Sequence, residues 1–134
     1  MATRHQVRES IVGLLYASDI GNDGIDKYID TIFEEKKIRN NQREFALNLY
    51  KGVKENLEHV DAVINTYLKE WDLANIGNIE RAILRLGAYE LLYSELDDAV
   101  VINEAIELAK KLCNDTSPKF INGVLDAIKS NKSV

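Results

Sequence analysis

The stretch Ile79-Glu80-Arg81-Ala82-Ile83-Leu84-Arg85-Leu86-Gly87-Ala88-Tyr89-Glu90-Leu91-Leu92 constrains the fold more than any other. Only Glu80, Arg81, Arg85 and Glu90 interrupt an otherwise apolar run. A helix that is apolar on nearly every side is buried from several directions, as the central rod of a bundle. Arg81 and Arg85, four residues apart, share one edge and predict a single narrow seam facing solvent. Glycine in mid-helix costs about 1 kcal/mol relative to alanine. Gly87-Ala88 is therefore expected where another helix crosses closely.

Periodicity elsewhere is helical as well. Residues 3–19 place Val7, Ile11, Leu14, Leu15 and Ser18 on one face, with Thr3 as a candidate N-cap. Gly21-Asn22-Asp23-Gly24 favours a turn. A second helix is expected over 26–36, with Tyr28, Ile29, Ile32 and Phe33 inward. Asn40 or Asn41 caps a third over 42–56, carrying Phe45, Ala46, Leu49, Tyr50 and Val53. A fresh stripe over 57–70 (Leu57, Val60, Val63, Ile64, Tyr67, Leu68) reads either as a separate helix after Asn56 or as the continuation of one bent helix. Residues 71–78, from Trp71, form a linker in which Asn78 caps the central helix. Residues 100–113 form the next helix, with Glu107 and Lys111 paired at i,i+4. Ser117 as N-cap with Pro118 at the first helical position opens the last, over 118–130. No stretch reads as a strand, so the chain is all-α with six or seven helices.

At 134 residues, 46% of them hydrophobic, the chain has enough apolar surface for a core without staples. Its one cysteine, Cys113, forms no internal disulfide and suits a reducing, cytoplasmic setting. No run is long enough to span a bilayer, and the amino end lacks a signal peptide's apolar core. The net charge of −5 argues weakly against nucleic acid, but its distribution matters more than its sum. Residues 17–35 sum to −5 and residues 36–54 to +5, so basic surface is available locally on an acidic protein. Solvated helix faces account for such runs equally well.

Catalytic chemistry has little to stand on. His5 and His59 lie at no metal-ligand spacing from each other or from Cys113. The seven glycines are scattered and form no phosphate-cradling loop. His59 and Asp61 point to different sides of one helix. Binding features are stronger. Arg4 and Arg8 lie four apart, so both guanidinium groups can face one outer side, where arginine forks match phosphate oxygens in bidentate fashion; an ordinary solvated face accounts for the pair as well. At the start of the last helix, Lys119 adds charge to free backbone N–H groups, and Phe120, at the edge of the core, reads either as a ring on which a base can stack or as a plain packing residue. Gly123, in the same helix, reads either as a helix crossing point or as a place where a ligand's backbone comes close.

Three segments carry a family resemblance: Ile79-Glu80-Arg81-Ala82-Ile83-Leu84-Arg85-Leu86 with Tyr89-Glu90-Leu91; Val101-Ile102-Asn103-Glu104-Ala105-Ile106-Glu107-Leu108-Ala109-Lys110; and Lys119-Phe120-Ile121-Asn122-Gly123-Val124-Leu125-Asp126. Together with Arg4…Arg8-Glu9 leading into Leu15-Tyr16, their order resembles the NusB family over nearly the whole chain.

That resemblance implies one domain over 1–134, built from two three-helix bundles packed across each other, with the boundary at residues 56–57. It implies a transcription antitermination factor that binds the boxA element of ribosomal RNA leaders together with NusE, a protein of the small ribosomal subunit, within an RNA polymerase complex. It implies no enzyme activity, cofactor, metal, membrane or small-molecule substrate. Carried over residue by residue, the RNA-binding candidates are Arg4, Arg8, Lys119 and Phe120, and the partner-binding candidates are Tyr16, Glu80 and Arg81. His5, Gln6 and Val7 separate the two arginines where the most arginine-rich members of the family have several consecutive ones, which implies modest intrinsic RNA affinity. The competing reading is a helical adaptor that binds protein alone. NusB-like domains also precede RNA cytosine methyltransferase domains, but a length of 134 residues leads to the expectation of the stand-alone factor over that enzyme.

Overall fold

The computed structural model describes residues 2–21, 23–68 and 72–132. Among these are seven α-helices: α1 (Arg4–Asp19), α2 (Ile29–Glu35), α3 (Asn41–Glu55), α4 (Leu57–Thr66), α5 (Asn78–Tyr93), α6 (Asp98–Leu112) and α7 (Ser117–Asn131). Short 3₁₀ turns cover Asp23–Tyr28 and Leu73–Asn75, and no strand occurs among the described residues.

As its sequence requires, α5 is the central rod. It packs against α1, α3, α4, α6 and α7, and it buries Ala82, Ile83, Leu84, Leu86, Gly87, Ala88 and Leu91. At Gly87 a methyl group would come within 2.9 Å of Leu125 Cδ1, so α7 does cross α5 where the glycine predicts. Gly52 of α3 plays the same part, because a side chain there would fall on the ring of Tyr89.

The helix ends follow local chemistry. Thr3 caps α1 through a capping box: its Oγ1 accepts from the Gln6 backbone N–H at 3.1 Å, and Gln6 Oε1 accepts from the Thr3 N–H at 2.8 Å. Gly21, with φ +97°, takes the left-handed turn after α1 that side chains resist. Asn56 separates α3 from α4, and its side-chain amide donates to the Gly52 carbonyl at 2.8 Å. Two helices, not one bent helix, therefore occupy this region.

Four sequence expectations are corrected. Tyr28 is not inward but 59% exposed, because the chain before Ile29 winds as a 3₁₀ turn and shifts the helical phase. Asn78 lies inside α5, and Gly77 precedes the helix as its cap residue. Thr116 is the cap residue of α7, which places Ser117 as its buried first residue and Pro118 as its second. Lys111 does not pair with Glu107: it reaches α1 to bond Glu9 at 2.7 Å, and Lys110 takes Glu107 at 3.4 Å. Trp71 and Asn22 lie outside the described residues.

Candidate nucleic-acid and partner interface

The capping box starts α1 early enough to place Arg4 and Arg8 one turn apart. They meet different environments. Arg4 is exposed, with its guanidinium 3.7 Å from the centre of the Phe45 ring of α3. Arg8 is inside: its Nε and Nη2 each donate to Glu90 at 2.9 Å, and the two side chains are 4% and 2% exposed. Burial works against the charged guanidinium, but the hydrogen bonds and negative charge of Glu90 outweigh it and raise the Arg8 pKa. The expectation that both forks present to one outer face is corrected, since α5 needs a cation for the acid in its apolar flank. Between the arginines, His5 Nδ1 lies 2.7 Å from Glu104 of α6.

The charge runs also find their partners within the fold. Asp30 of the acidic segment pairs with Arg43, and Arg39 bonds Glu34 at 2.9 Å. Tyr50 donates to Asp26 at 2.6 Å, while burial and the nearby carboxylate push its phenol well above the ordinary range. Part of the local basic surface expected over 36–54 is thus matched by the acidic run beside it.

Arg81 and Arg85 share one edge of α5 as their spacing requires, but that edge faces α1 and α4. Each side chain is only 12% exposed. Arg81 Nε donates to Asp19 at 2.8 Å and its Nη1 to the Leu73 carbonyl at 2.9 Å, fastening the linker to α5. Arg85 holds Asp61 of α4 in a two-pronged pair at 2.9 Å and also reaches Asp19 at 3.2 Å. Burial alone would raise the Asp19 pKa; hydrogen bonds and charge from both arginines outweigh it and hold the carboxyl below its ordinary value. The solvent-facing seam is therefore an inter-helix clamp, and much of Arg81's donor capacity is used inside the protein. Tyr16, one turn before Asp19, is half-buried against the core.

The start of α7 meets the start of α5. Ser117 Oγ donates to Glu80 Oε2 at 2.7 Å, tying the two helix beginnings together. Around this bond lies an open cleft of about 320 Å³, lined by Asn75, Ile76, Gly77, Glu80, Asn114, Thr116 and Phe120. Phe120 is half-buried on its wall, and Lys119 is exposed beside it. Cys113 is half-buried next to Glu80 and Ser117; desolvation and then the Glu80 charge push its thiol up to about 11.

The structure thus brings Phe120 to Glu80 but keeps Arg4 elsewhere, over Phe45. His5 contacts Glu104, whereas Ser117 follows the carboxy end of α6. Nine positions from Glu104 to Cys113 correspond to about 13 Å along a helix. No described group of three or more His, Cys, Asp or Glu side chains is placed to hold a metal ion.

The NusB family model matches residues 5–130. A protein of a Nitratiruptor species called transcription antitermination protein NusB is 65% identical over 128 residues, covering 96% of this chain and 92% of that protein. The chain belongs to the NusB family. Thermotoga maritima NusB superposes with a TM-score of 0.85 at 32% identity, over 99% of this chain and 94% of that one. A chain from a structure of antitermination factors NusB and NusE in complex with dsRNA superposes with a TM-score of 0.84 at 29% identity, over 95% and 96% of the two chains.

Two features of this chain's fold escaped the sequence reading. One is the partnership of Arg8 and Glu90, for which a lone acid deep in an apolar helix was the available signal, since a buried carboxylate demands a cation. The other is the cleft, whose lining comes from two loops and two helix starts that share no sequence pattern.

Proposed function

We propose that this protein is an RNA-binding antitermination factor that acts in the cytoplasm, binding the boxA element of ribosomal RNA leader transcripts together with NusE. The observation that carries the reading is the start of α7, where half-buried Phe120 lines the cleft together with Glu80 and exposed Lys119 precedes it on the same helix. A cation beside an accessible aromatic ring suits single-stranded RNA, whose unstacked bases lie on aromatic faces while lysine neutralises phosphate. Its likeness to a chain from a NusB–NusE–dsRNA complex supports the same partners.

Residue roles follow from exposure. Arg4 and Lys119 take phosphate contacts and Phe120 takes a base. Arg8 acts behind them, holding α1 to α5. Tyr16 and Glu80 form the partner side, and Arg81 supports them through Asp19 and the linker. The activity is binding, with no bond made or broken. With Arg8 withdrawn, few cations remain to release counterions, so RNA affinity of the isolated protein is modest and falls gently with salt. NusE supplies the remainder.

The test is fluorescence anisotropy of a labelled boxA-like RNA across a salt series, with and without NusE, using a scrambled RNA and the Arg4→Ala/Lys119→Ala variant as controls. The expected result is sequence-preferring binding that strengthens with NusE and weakens in the variant. Capture of NusE without RNA binding under any condition would leave a protein-binding adaptor, and tight boxA binding by the protein alone at physiological salt would refute the partner dependence.

A further inference from the structure

Gly123 has no structural reason to be glycine. It sits in mid-α7, exposed, and a methyl group built on it would meet nothing within 4 Å. Of the two sequence readings, the helix crossing is therefore excluded among the described residues: the crossing glycine is Gly87, which meets Leu125. After proline, glycine is the poorest helix former, so this position weakens α7 with no return inside the protein.

Its neighbours indicate what the bare backbone faces. At 100° per residue, Gly123 lies about 60° around the helix from Phe120 and about 40° from Lys119, one turn towards the carboxy end. Side chains on a helix lean towards its amino end, so residue i covers the surface above residues i−3 and i−4. A side chain at 123 would therefore cover the ground between Lys119 and Phe120. Glycine leaves the aromatic ring and the cation open from that side. Gly13 of α1 is also exposed with no neighbour within 4 Å, but the residues it would cover are Glu9 and Ser10, a poor match for a polyanion.

We infer that Gly123 is a close-approach position for RNA: the nucleotide stacked on Phe120 lies against the bare α7 backbone, and any side chain at 123 displaces it. The inference rests on the RNA-binding reading of this face. It makes Gly123 a determinant of RNA fit, distinct from the charge contributed by Lys119.

The test compares Gly123→Ala and Gly123→Leu with the unsubstituted chain in three measurements: thermal melting, NusE capture, and anisotropy of boxA-like RNA in the presence of NusE. Melting temperature is expected to hold or rise in Gly123→Ala, because space is free and alanine is the better helix former. NusE capture is expected to stay constant. RNA affinity is expected to fall roughly fivefold or more in Gly123→Ala, the low end of what losing one base–aromatic stack costs, and further in Gly123→Leu. Affinity within about twofold of the unsubstituted chain in both variants would overturn the inference while leaving the RNA reading intact. Loss of NusE capture instead would assign the close approach to protein and overturn it. Absence of RNA binding by the unsubstituted chain would fail the underlying reading and the inference with it.

Discussion

Arg8 and Glu90, eighty-two positions apart, meet in a two-pronged ion pair with both side chains almost wholly buried. The pair joins α1 to the carboxy-terminal half of α5, and it bears on how RNA-binding experiments are designed. Removing one partner of a buried pair leaves an uncompensated charge and costs about 3–5 kcal/mol, whereas replacing both by apolar side chains is often neutral or better. Arg8→Ala should therefore lower stability to chemical denaturation by about that amount, and Arg8→Met with Glu90→Leu should recover most of it. RNA binding lost in Arg8→Ala alone would report the fold, so Arg4 and Lys119 are the positions that test phosphate contact.

Acid stability should depend on Asp19. Its carboxyl titrates below the ordinary value of 3.8 because Arg81 and Arg85 outweigh the effect of its burial. A carboxyl whose folded pKa lies below its unfolded one stabilises the fold at pH above the unfolded pKa, and that stability disappears as pH falls through the folded value. Melting temperature should fall as pH drops below about 4, and the fall should be shallower in Asp19→Asn, which starts from lower stability at neutral pH. Parallel pH profiles for the two proteins would remove Asp19 from this role.

Much of the fold was legible because α5 is apolar enough to admit only one position, at the centre. Thr3 and Gly87 likewise act through local rules, and each does what those rules predict, whereas at Asn56 the sequence left one bent helix or two open and the structure has two. Tyr28 failed because a 3₁₀ turn has a different residue period, which apolar spacing alone does not reveal. Arg81 and Arg85 were placed on the correct edge, but exposure depends on neighbours: Asp19 and Asp61 come from helices that periodicity cannot orient. The same limit separates Arg4 from Arg8, identical in type and spacing to any solvated pair until Glu90 and Phe45 are brought beneath them.

Cys113 should be slow to react. Its thiol is desolvated, lies beside Glu80, and is raised from 9.0 to about 11. Since the thiolate is the nucleophile, a two-unit rise reduces its fraction roughly a hundredfold near neutral pH. Iodoacetamide labelling of the folded protein at pH 8, followed by mass spectrometry, should be far slower than labelling in denaturant. Glu80→Gln should speed it by removing the adjacent charge. Equal rates in folded and unfolded protein would contradict the buried setting.

Opposite signs are expected for the same substitution at two glycines. Alanine at Gly123 meets open space and should hold or raise stability, whereas at Gly87 it should lower it. Gly87→Ala gains about 1 kcal/mol of helix propensity, but its methyl group would stand 2.9 Å from Leu125 Cδ1, and Leu125 is fully buried. Leu125 can turn away only by pushing into the core, where Ile121 and Ile128, one turn to either side of it on α7, are themselves buried. Overpacking of this kind costs about 1–3 kcal/mol, so steric cost exceeds propensity gain and Gly87→Ala should be less stable than the unsubstituted chain. Gly87→Ala combined with Leu125→Ala removes the clash but opens a cavity, which costs about 2–5 kcal/mol for a buried leucine. Leu125→Val shortens the side chain by one carbon instead, and should recover part of the loss. Equilibrium urea unfolding of the unsubstituted chain and the four variants distinguishes these cases. A Gly87→Ala protein more stable than its parent would mean that α7 moves away from α5 at little cost, and that the crossing is looser than the burial of Leu125 indicates.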